Sequence, residues 1–178
     1  MKPKLIIVDV DGIMTDGTKL YMHGRPAGKM FHDRDFTAIK YLHTKGILVC
    51  FLSADDANEQ MASDRGIVYF NARDEHGRIA KGAVTRKILE YTGIPKEETW
   101  CLGDDVFDVA MFRECARSFC PDNAAKYVKE HATDFLSESN RPWLWYLAES
   151  YIGNLVPDDV TKIIERDMHE TTWNSSSR

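Results

Sequence analysis

Leu5-Ile6-Ile7-Val8-Asp9-Val10-Asp11-Gly12-Ile13-Met14-Thr15-Asp16-Gly17 decides how the rest of the chain is read. Four apolar residues in a row read as a buried strand, and two aspartates one residue apart stand where it should end. Residues i and i+2 of a strand point to the same side. Asp9 and Asp11 are therefore expected to converge at the strand's C-terminal edge, the usual ligand site of an open α/β sheet. At about 4 Å and an effective dielectric near 20, two carboxylates repel by roughly 4 kcal/mol. A cation should lie between them, or one must hold a proton.

Working outward, apolar strands alternate with amphipathic helices. Residues 18–22 and 29–31 flank the turn-rich stretch 24–28 and predict a β-hairpin with a longer loop. Helices are expected over 36–44, 57–64, 79–92, 106–114 and 124–131, and buried strands over 47–52, 67–70, 99–102, 117–120 and 134–136. Pro142 opens a helix rich in Trp143, Trp145, Tyr146 and Tyr151, a set expected in the core or at a subunit contact. Strand–helix alternation of this kind implies a doubly wound, Rossmann-like parallel sheet with helices on both faces. The expected organisation is one α/β domain over 1–155 and a C-terminal segment, 156–178. That segment holds a short helix over 158–168 and a polar end, Asn174 to Arg178, expected to be disordered.

The chain has 178 residues, 43% of them apolar and 29% charged, enough for one sizeable core. A net charge of −5 gives no electrostatic ground for nucleic-acid binding. No apolar run approaches the roughly 20 residues of a membrane span, and the N-terminus does not read as a signal peptide. Cys50, Cys101, Cys115 and Cys120 lack metal-site spacing. They are read as reduced, buried thiols of a cytoplasmic protein.

Four polar clusters follow strand ends or begin a helix: Asp9 with Asp11, Ser53, Lys81, and Gly103-Asp104-Asp105 with Asp108. Strand ends on one sheet edge lie near each other, so these groups can share a site. Taken in order, with Thr15-Asp16-Gly17, the set resembles the haloacid dehalogenase superfamily of phosphoryl-transfer enzymes over roughly residues 4–150. The resemblance implies that Asp9 is the nucleophile, forming an aspartyl-phosphate. It also implies that Asp11 is the general acid and base, Ser53 a donor to the phosphoryl oxygens, and Lys81 a screening cation. A phosphate dianion does not approach three carboxylates without a cation, and Mg²⁺ suits an all-oxygen site. Its implied ligands are Asp9, the backbone carbonyl of Asp11, and Asp104. Asp105 and Asp108 are expected to orient Lys81 and the loop. Plainer readings stand beside these: Ser53 as a helix N-cap, Lys81 as a surface lysine, Asp105 and Asp108 as helix-start residues.

Neither the 12–52 gap nor the 54–80 gap has room for the separate cap domain that many members carry, so the resemblance is to a capless subgroup with a small β-hairpin flap. A bare hairpin is too small to be stable alone. In the capless sugar-acid phosphatases, hairpins of this kind assemble four subunits, so a homotetramer is expected. The resemblance extends to a subgroup that acts on phosphorylated 3-deoxy sugar acids of the octulosonate 8-phosphate or nonulosonate 9-phosphate type, and it implies such a substrate here. Supporting stretches are Asp11 to Gly17, Phe31 with Arg34-Asp35, and Gly103 to Asp108.

Departures from the subgroup fall outside the catalytic set. Ser53-Ala54-Asp55 stands where the subgroup has Ser-Gly-Arg, so an anion replaces a cation and should repel an anionic substrate. Arg34-Asp35-Phe36 replaces Arg-Asp-Gly, and Ser137 to Trp143 replaces a glycine-rich loop. Candidate substrate contacts are Arg34, Asp55 and His32; His23 also flanks the hairpin. Two other readings remain open: a phosphatase for another small sugar phosphate or nucleotide, and a non-catalytic oligomerisation module. A receiver domain is disfavoured, because its phosphoacceptor follows the third strand.

Overall fold

A computed structural model describes residues 2–137 and 142–175. Its centre is a six-stranded sheet built from β1 (Leu5–Val8), β4 (Leu48–Ser53), β5 (Val68–Asn71), β6 (Thr99–Leu102), β7 (Arg117–Pro121) and β8 (Asp134–Leu136), in the order β5-β4-β1-β6-β7-β8. Every pairing is parallel. The chain builds outward from β1 through β4 to β5, then returns to the other side of β1 with β6. The order therefore reverses between β1 and β6, and a crevice opens there beyond the strand ends.

Both faces of the sheet are covered, which explains why its central strands read as continuous apolar runs. All four β1 side chains are fully buried. Leu5 and Ile7 face one core with Cys50, Leu52 and Ile88. Ile6 and Val8 face the other with Phe36, Ile39, Trp143 and Leu144. Each such burial contributes about 1.5–3 kcal/mol. The first core lies under α3 (Lys81–Thr92) and α4 (Val109–Phe112); the second lies under α1 (Asp33–Thr44) and α6 (Trp143–Leu147). α2 (Ala57–Asp64) packs beside β5, and α5 (Lys126–Lys129) precedes β8. The four cysteines are buried free thiols. Trp143 is in the core, while Trp145, Tyr146 and Tyr151 pack against it partly buried.

Several boundaries differ from the sequence expectation. The hairpin is tighter: β2 (Thr15–Met22) pairs antiparallel with β3 (Arg25–Phe31), leaving His23 and Gly24 as its turn. Both turn residues have positive φ, 50° and 75°, the geometry of a two-residue turn that matches strand twist. The expected helix over 106–114 begins instead as a tight turn, Val106–Asp108, before α4. After α6 a wider turn runs through Ile152, closed by Gly153 N donating to Ala148 O at 3.1 Å. The last helix, α7 (Pro157–Ser175), is longer than the expected 158–168 and takes in Asn174 and Ser175. Asp159 stabilises its start, accepting from Val156 N at 3.1 Å and from Lys45 Nζ at 2.8 Å. The expected disorder at 176–178 and the loop over 138–141 lie outside the described residues. Among the described residues, no helix is long and apolar enough to cross a membrane.

The β1–β4 connection holds only the hairpin and α1, and the β4–α3 connection only α2, β5 and a short loop. No cap is inserted in either, as the spacing predicts.

Candidate active site

Asp9 is the first residue past β1, and its N–H still donates to Leu102 O at 2.9 Å. There the chain leaves strand geometry. Asp11 (φ −77°, ψ 118°) and Gly12 (φ +92°) form a turn, and Thr15 Oγ1 accepts from Gly12 N and Gly17 N, both at 3.2 Å. The turn opens at Val10, between the two aspartates, so the period-two argument for Asp9 and Asp11 fails. The two line one cleft, but their carboxylates face different partners. Gly12 must be glycine for two reasons: its φ is left-handed, and a Cβ would stand 2.1 Å from Asp104 Oδ2.

Asp9 is 5% exposed. Its Oδ1 accepts from Val10 N at 2.7 Å, and its Oδ2 lies 2.9 Å from Lys81 Nζ. Lys81, the first residue of α3, also reaches Asp108 Oδ1 at 2.5 Å. It is as buried as Asp9, so it is not a surface lysine. Asp108 is fully buried, and its Oδ2 accepts from the N–H groups of Asp104 (3.0 Å) and Asp105 (2.9 Å). Asp108 thus braces both Lys81 and the Gly103-Asp104-Asp105 loop. Asp105 is exposed and caps the following turn, accepting from Val106 N.

Asp9, Asp104 and Asp108 bring one carboxylate oxygen each within 4.8 Å of one another. Three carboxylates face one ammonium, which leaves a deficit of two positive charges. Burial first, and this imbalance second, set the titration shifts. Burial, then Asp108, pushes Asp104 up to about 7 against the opposing pull of Lys81. The same two causes push Asp9 well above the ordinary carboxylate value. Burial alone would lower Lys81, but Asp9 and Asp108 outweigh it and hold the ammonium above the usual lysine range. Asp104 Oδ1 is buried without a hydrogen-bond partner among the described residues. A buried acceptor left unpaired is costly. An oxygen-only donor set with a charge deficit of two fits a small divalent cation such as Mg²⁺. Asp104 Oδ1 is free to bind it and each Asp9 oxygen carries a single donor, whereas Asp108 Oδ1 is held by Lys81 and its Oδ2 by two N–H groups.

Ser53 ends β4 and is 1% exposed. Its Oγ accepts from Asn58 Nδ2 (2.8 Å) and Asp55 N (3.2 Å), so its own proton is left to donate into the cleft. It does not cap α2, whose first flanking residue is Asp56.

Asp11 turns toward the hairpin. Lys29 Nζ lies 2.7 Å from Asp11 Oδ1, and Asn58 Nδ2 donates to Asp11 Oδ2 at 3.0 Å. Lys29 also binds Asp55 Oδ2 (2.8 Å) and donates to Asn58 Oδ1 (2.9 Å), while Lys19 reaches Asp55 Oδ2 at 2.7 Å. Asp55 is therefore no free anion, because two hairpin lysines neutralise it. Those lysines, Lys19 first, hold its carboxyl well below the usual range. Sequence reasoning missed Lys29, Lys19 and Asn58. Only Asn58 left a signal, an amide in the first turn of the helix that follows Ser53.

Among the other candidate contacts, Asp55 lines the cleft, while His32 and Arg34 stand outside its lining at the start of α1. His32 Nδ1 accepts from Arg34 N at 3.2 Å, the helix cap. His23 is the hairpin tip. Phe36 is buried against Phe31, with the Arg65 guanidinium 3.6 Å from its ring centroid, so its bulk goes into the core rather than into the cleft.

The profile of the haloacid dehalogenase-like hydrolases matches residues 75–141. The chain is 35% identical over 136 residues to the 3-deoxy-D-manno-octulosonate 8-phosphate phosphatase of Haemophilus influenzae, covering 75% of this chain and 73% of that protein. A cobalt-bound crystal form of the Haemophilus influenzae deoxy-D-mannose-octulosonate 8-phosphate phosphatase superposes with a TM-score of 0.74 at 30% identity, over 83% of this chain and 86% of the other. The Moraxella catarrhalis 3-deoxy-D-manno-octulosonate 8-phosphate phosphatase, solved with magnesium, phosphate and a sugar-acid molecule, shares the fold. Its TM-score is 0.72 at 19% identity, over 96% of this chain and 93% of the other. The order and spacing of the acidic strand ends, the buried lysine and these likenesses agree: the chain belongs to the haloacid dehalogenase-like hydrolases, and within them to the phosphatases.

Proposed function

We propose that this chain hydrolyses the phosphomonoester of a phosphorylated 3-deoxy sugar acid, of octulosonate 8-phosphate or nonulosonate 9-phosphate type. The observation that carries the reading is the Asp9 carboxylate, buried on the cleft floor between Lys81 and the Asp104–Asp108 loop. Asp9 attacks phosphorus, the bond to the leaving alkoxide breaks, and Asp11 gives that oxygen a proton. Water then attacks the aspartyl-phosphate, Asp11 takes its proton, and the phosphorus–Asp9 bond breaks. The Ser53 hydroxyl and the Lys81 ammonium hold the phosphoryl oxygens through both steps. Asp9, Asp104 and the backbone carbonyl of Asp11 would hold Mg²⁺, which would supply the positive charge that lets phosphate approach these carboxylates. Asp108 positions Lys81 and the loop.

The catalytic domain spans 1–155 with the hairpin as its flap, followed by the 156–178 segment. The hairpin exposes Leu20, Tyr21, Met22 and Met30, each more than half accessible. Exposed apolar residues on a two-stranded ribbon favour burial against further copies of the chain, and the resemblance to the capless sugar-acid phosphatases implies four of them, a homotetramer. Buried free thiols and an acidic surface suit a cytoplasmic protein.

The test is phosphate release from a panel of phosphomonoesters with Mg²⁺, ranked by kcat/KM, with acid-quenched phosphoenzyme measured in parallel. Sugar-acid phosphates should rank first, and Asp9→Asn should form no phosphoenzyme. Equal rates on simple sugar phosphates or nucleotides overturn the substrate class. A turnover-competent Asp9→Asn overturns the nucleophile.

A further inference from the structure

The cations in and beside the cleft divide into two kinds. Lys81 is held by Asp9 and Asp108, Lys29 by Asp11 and Asp55, and Lys19 by Asp55. Arg73 also lines the cleft, yet among the described residues no carboxylate lies within ion-pair distance of its guanidinium. It is nonetheless held in place. Its Nε donates to Ala54 O at 3.1 Å and its Nη1 to Gly77 O at 2.6 Å. Two carbonyls therefore fix the plane of the group without cancelling its charge. Of five guanidinium N–H donors, these bonds use two.

The loop that carries Arg73 is built to be rigid. Arg73 N donates to Asn71 Oδ1 at 2.8 Å, and Arg73 bridges antiparallel to Ile79. Inside the loop, Asp74 Oδ1 accepts from His76 N and Arg78 N, both at 2.9 Å, and Asp74 Oδ2 binds Arg78 Nε at 2.9 Å. Ala80 N returns to Ala72 O at 2.8 Å, immediately before Lys81. One short ordered loop thus ties the unpaired guanidinium to the lysine on the cleft floor. A preorganised cation loses little freedom on binding an anion. The cleft, about 690 Å³, has room for a sugar phosphate with its far end near that loop.

We infer that Arg73 is a specificity-determining residue that binds the carboxylate of the substrate at the end remote from the phosphate. This deepens the proposed function and rests on it. Asp55 brings no positive charge to the mouth and occupies both hairpin lysines. The guanidinium presented from beyond β5 supplies the charge that an anionic substrate needs, in the planar, two-pronged form that matches a carboxylate.

The experiment compares the Mg²⁺-loaded wild type with Arg73→Ala and Arg73→Lys on two substrates: 3-deoxy-octulosonate 8-phosphate, and mannose 6-phosphate as a sugar phosphate without a carboxylate. Calorimetry with free 3-deoxy-octulosonate runs alongside. Arg73→Ala should lower kcat/KM on the acid about 10- to 100-fold, the scale of a lost charged hydrogen-bonding partner. It should leave mannose 6-phosphate within about twofold. Arg73→Lys should recover part of the loss, and the free sugar acid should bind Arg73→Ala more weakly. A wild type that prefers the acid while Arg73→Ala keeps that preference overturns the role of Arg73 and leaves the proposed function standing. Equal losses on both substrates also overturn it, since that marks a structural or subunit-contact role. A wild type that releases no phosphate from either, or does not prefer the acid, overturns the functional reading itself; undiminished binding of the free acid to Arg73→Ala then removes Arg73 as well.

Discussion

Lys29 reaches from the hairpin to the carboxylate of Asp11, Nζ to Oδ1 at 2.7 Å, with a tenth of the lysine side chain exposed. Two aspartates one residue apart need an answer to their repulsion, and the structure supplies one cation to each: Lys81 to Asp9, Lys29 to Asp11. The second pairing also joins the flap to the catalytic turn and, through Asn58, to α2. Lys29→Met should therefore loosen the hairpin and misplace Asp11 together. We expect kcat to fall about 10-fold or more, since general acid–base catalysis contributes roughly 10²–10⁴. Amide exchange over 15–31 should rise. Unchanged kcat and unchanged exchange would remove Lys29 from the machinery.

Lys81 is the sole ammonium in contact with the buried acidic cluster among the described residues. Lys81→Met leaves Asp9, Asp104 and Asp108 facing one another unscreened. Removing one partner of a buried ion pair typically costs about 3–5 kcal/mol. Without metal, the variant should unfold at a clearly lower temperature than the wild type. Mg²⁺ should restore a larger part of the loss than it adds to the wild type. Thermal unfolding with and without Mg²⁺ checks this, and an equal Mg²⁺ shift in both proteins counts against the charge argument.

Asp55 gives the pH dependence. Its folded carboxyl is depressed below the unfolded value, first by the Lys19 hydrogen bond and then by Lys29. The sign follows: the stabilisation is present above the unfolded value near 3.8 and is lost as pH falls below it. Wild type should thus exceed Asp55→Asn in melting temperature at pH 6, and the gap should close as pH drops below about 4. A gap that is constant with pH would show that the Asp55 contacts act by shape rather than by charge.

The sheet was legible because its central strands are buried on both faces, so apolar runs such as Ile6 to Val8 mark them without ambiguity. Lys81 and the Gly103-Asp104-Asp105 loop were legible because fixed strand and helix ends deliver them to one edge. The partnership of Asp9 with Asp11 was misread in detail, because the turn that opens at Val10 takes the chain out of the strand between the two aspartates and cancels the two-residue period. Lys19, Lys29 and Arg73 were not legible at all. Each sits on a hairpin or loop whose docking is set by long-range contacts, and a basic residue there looks like any solvated lysine or arginine. Asp55 misled for the same reason: as a sequence letter it is a bare anion, and only the docked hairpin neutralises it.

The hairpin supplies the last prediction. Met30 is 73% exposed and Leu20 59%, on a ribbon whose two strands pair only with each other among the described residues. Apolar side chains on so small an element are left in water unless another surface covers them, and full burial of one contributes about 1.5–3 kcal/mol. In a fourfold assembly that gain is repeated in every subunit, so one substitution acts four times. Met30→Lys and Leu20→Lys should each shift sedimentation from tetramer toward smaller species. The Asp9–Lys81 pairing is internal to each chain, so the buried cluster should still take up Mg²⁺, while turnover falls wherever a neighbour's surface shields the cleft. A wild type that sediments as a monomer would overturn the tetramer, and substitutions that leave a tetramer intact would place the subunit contact elsewhere.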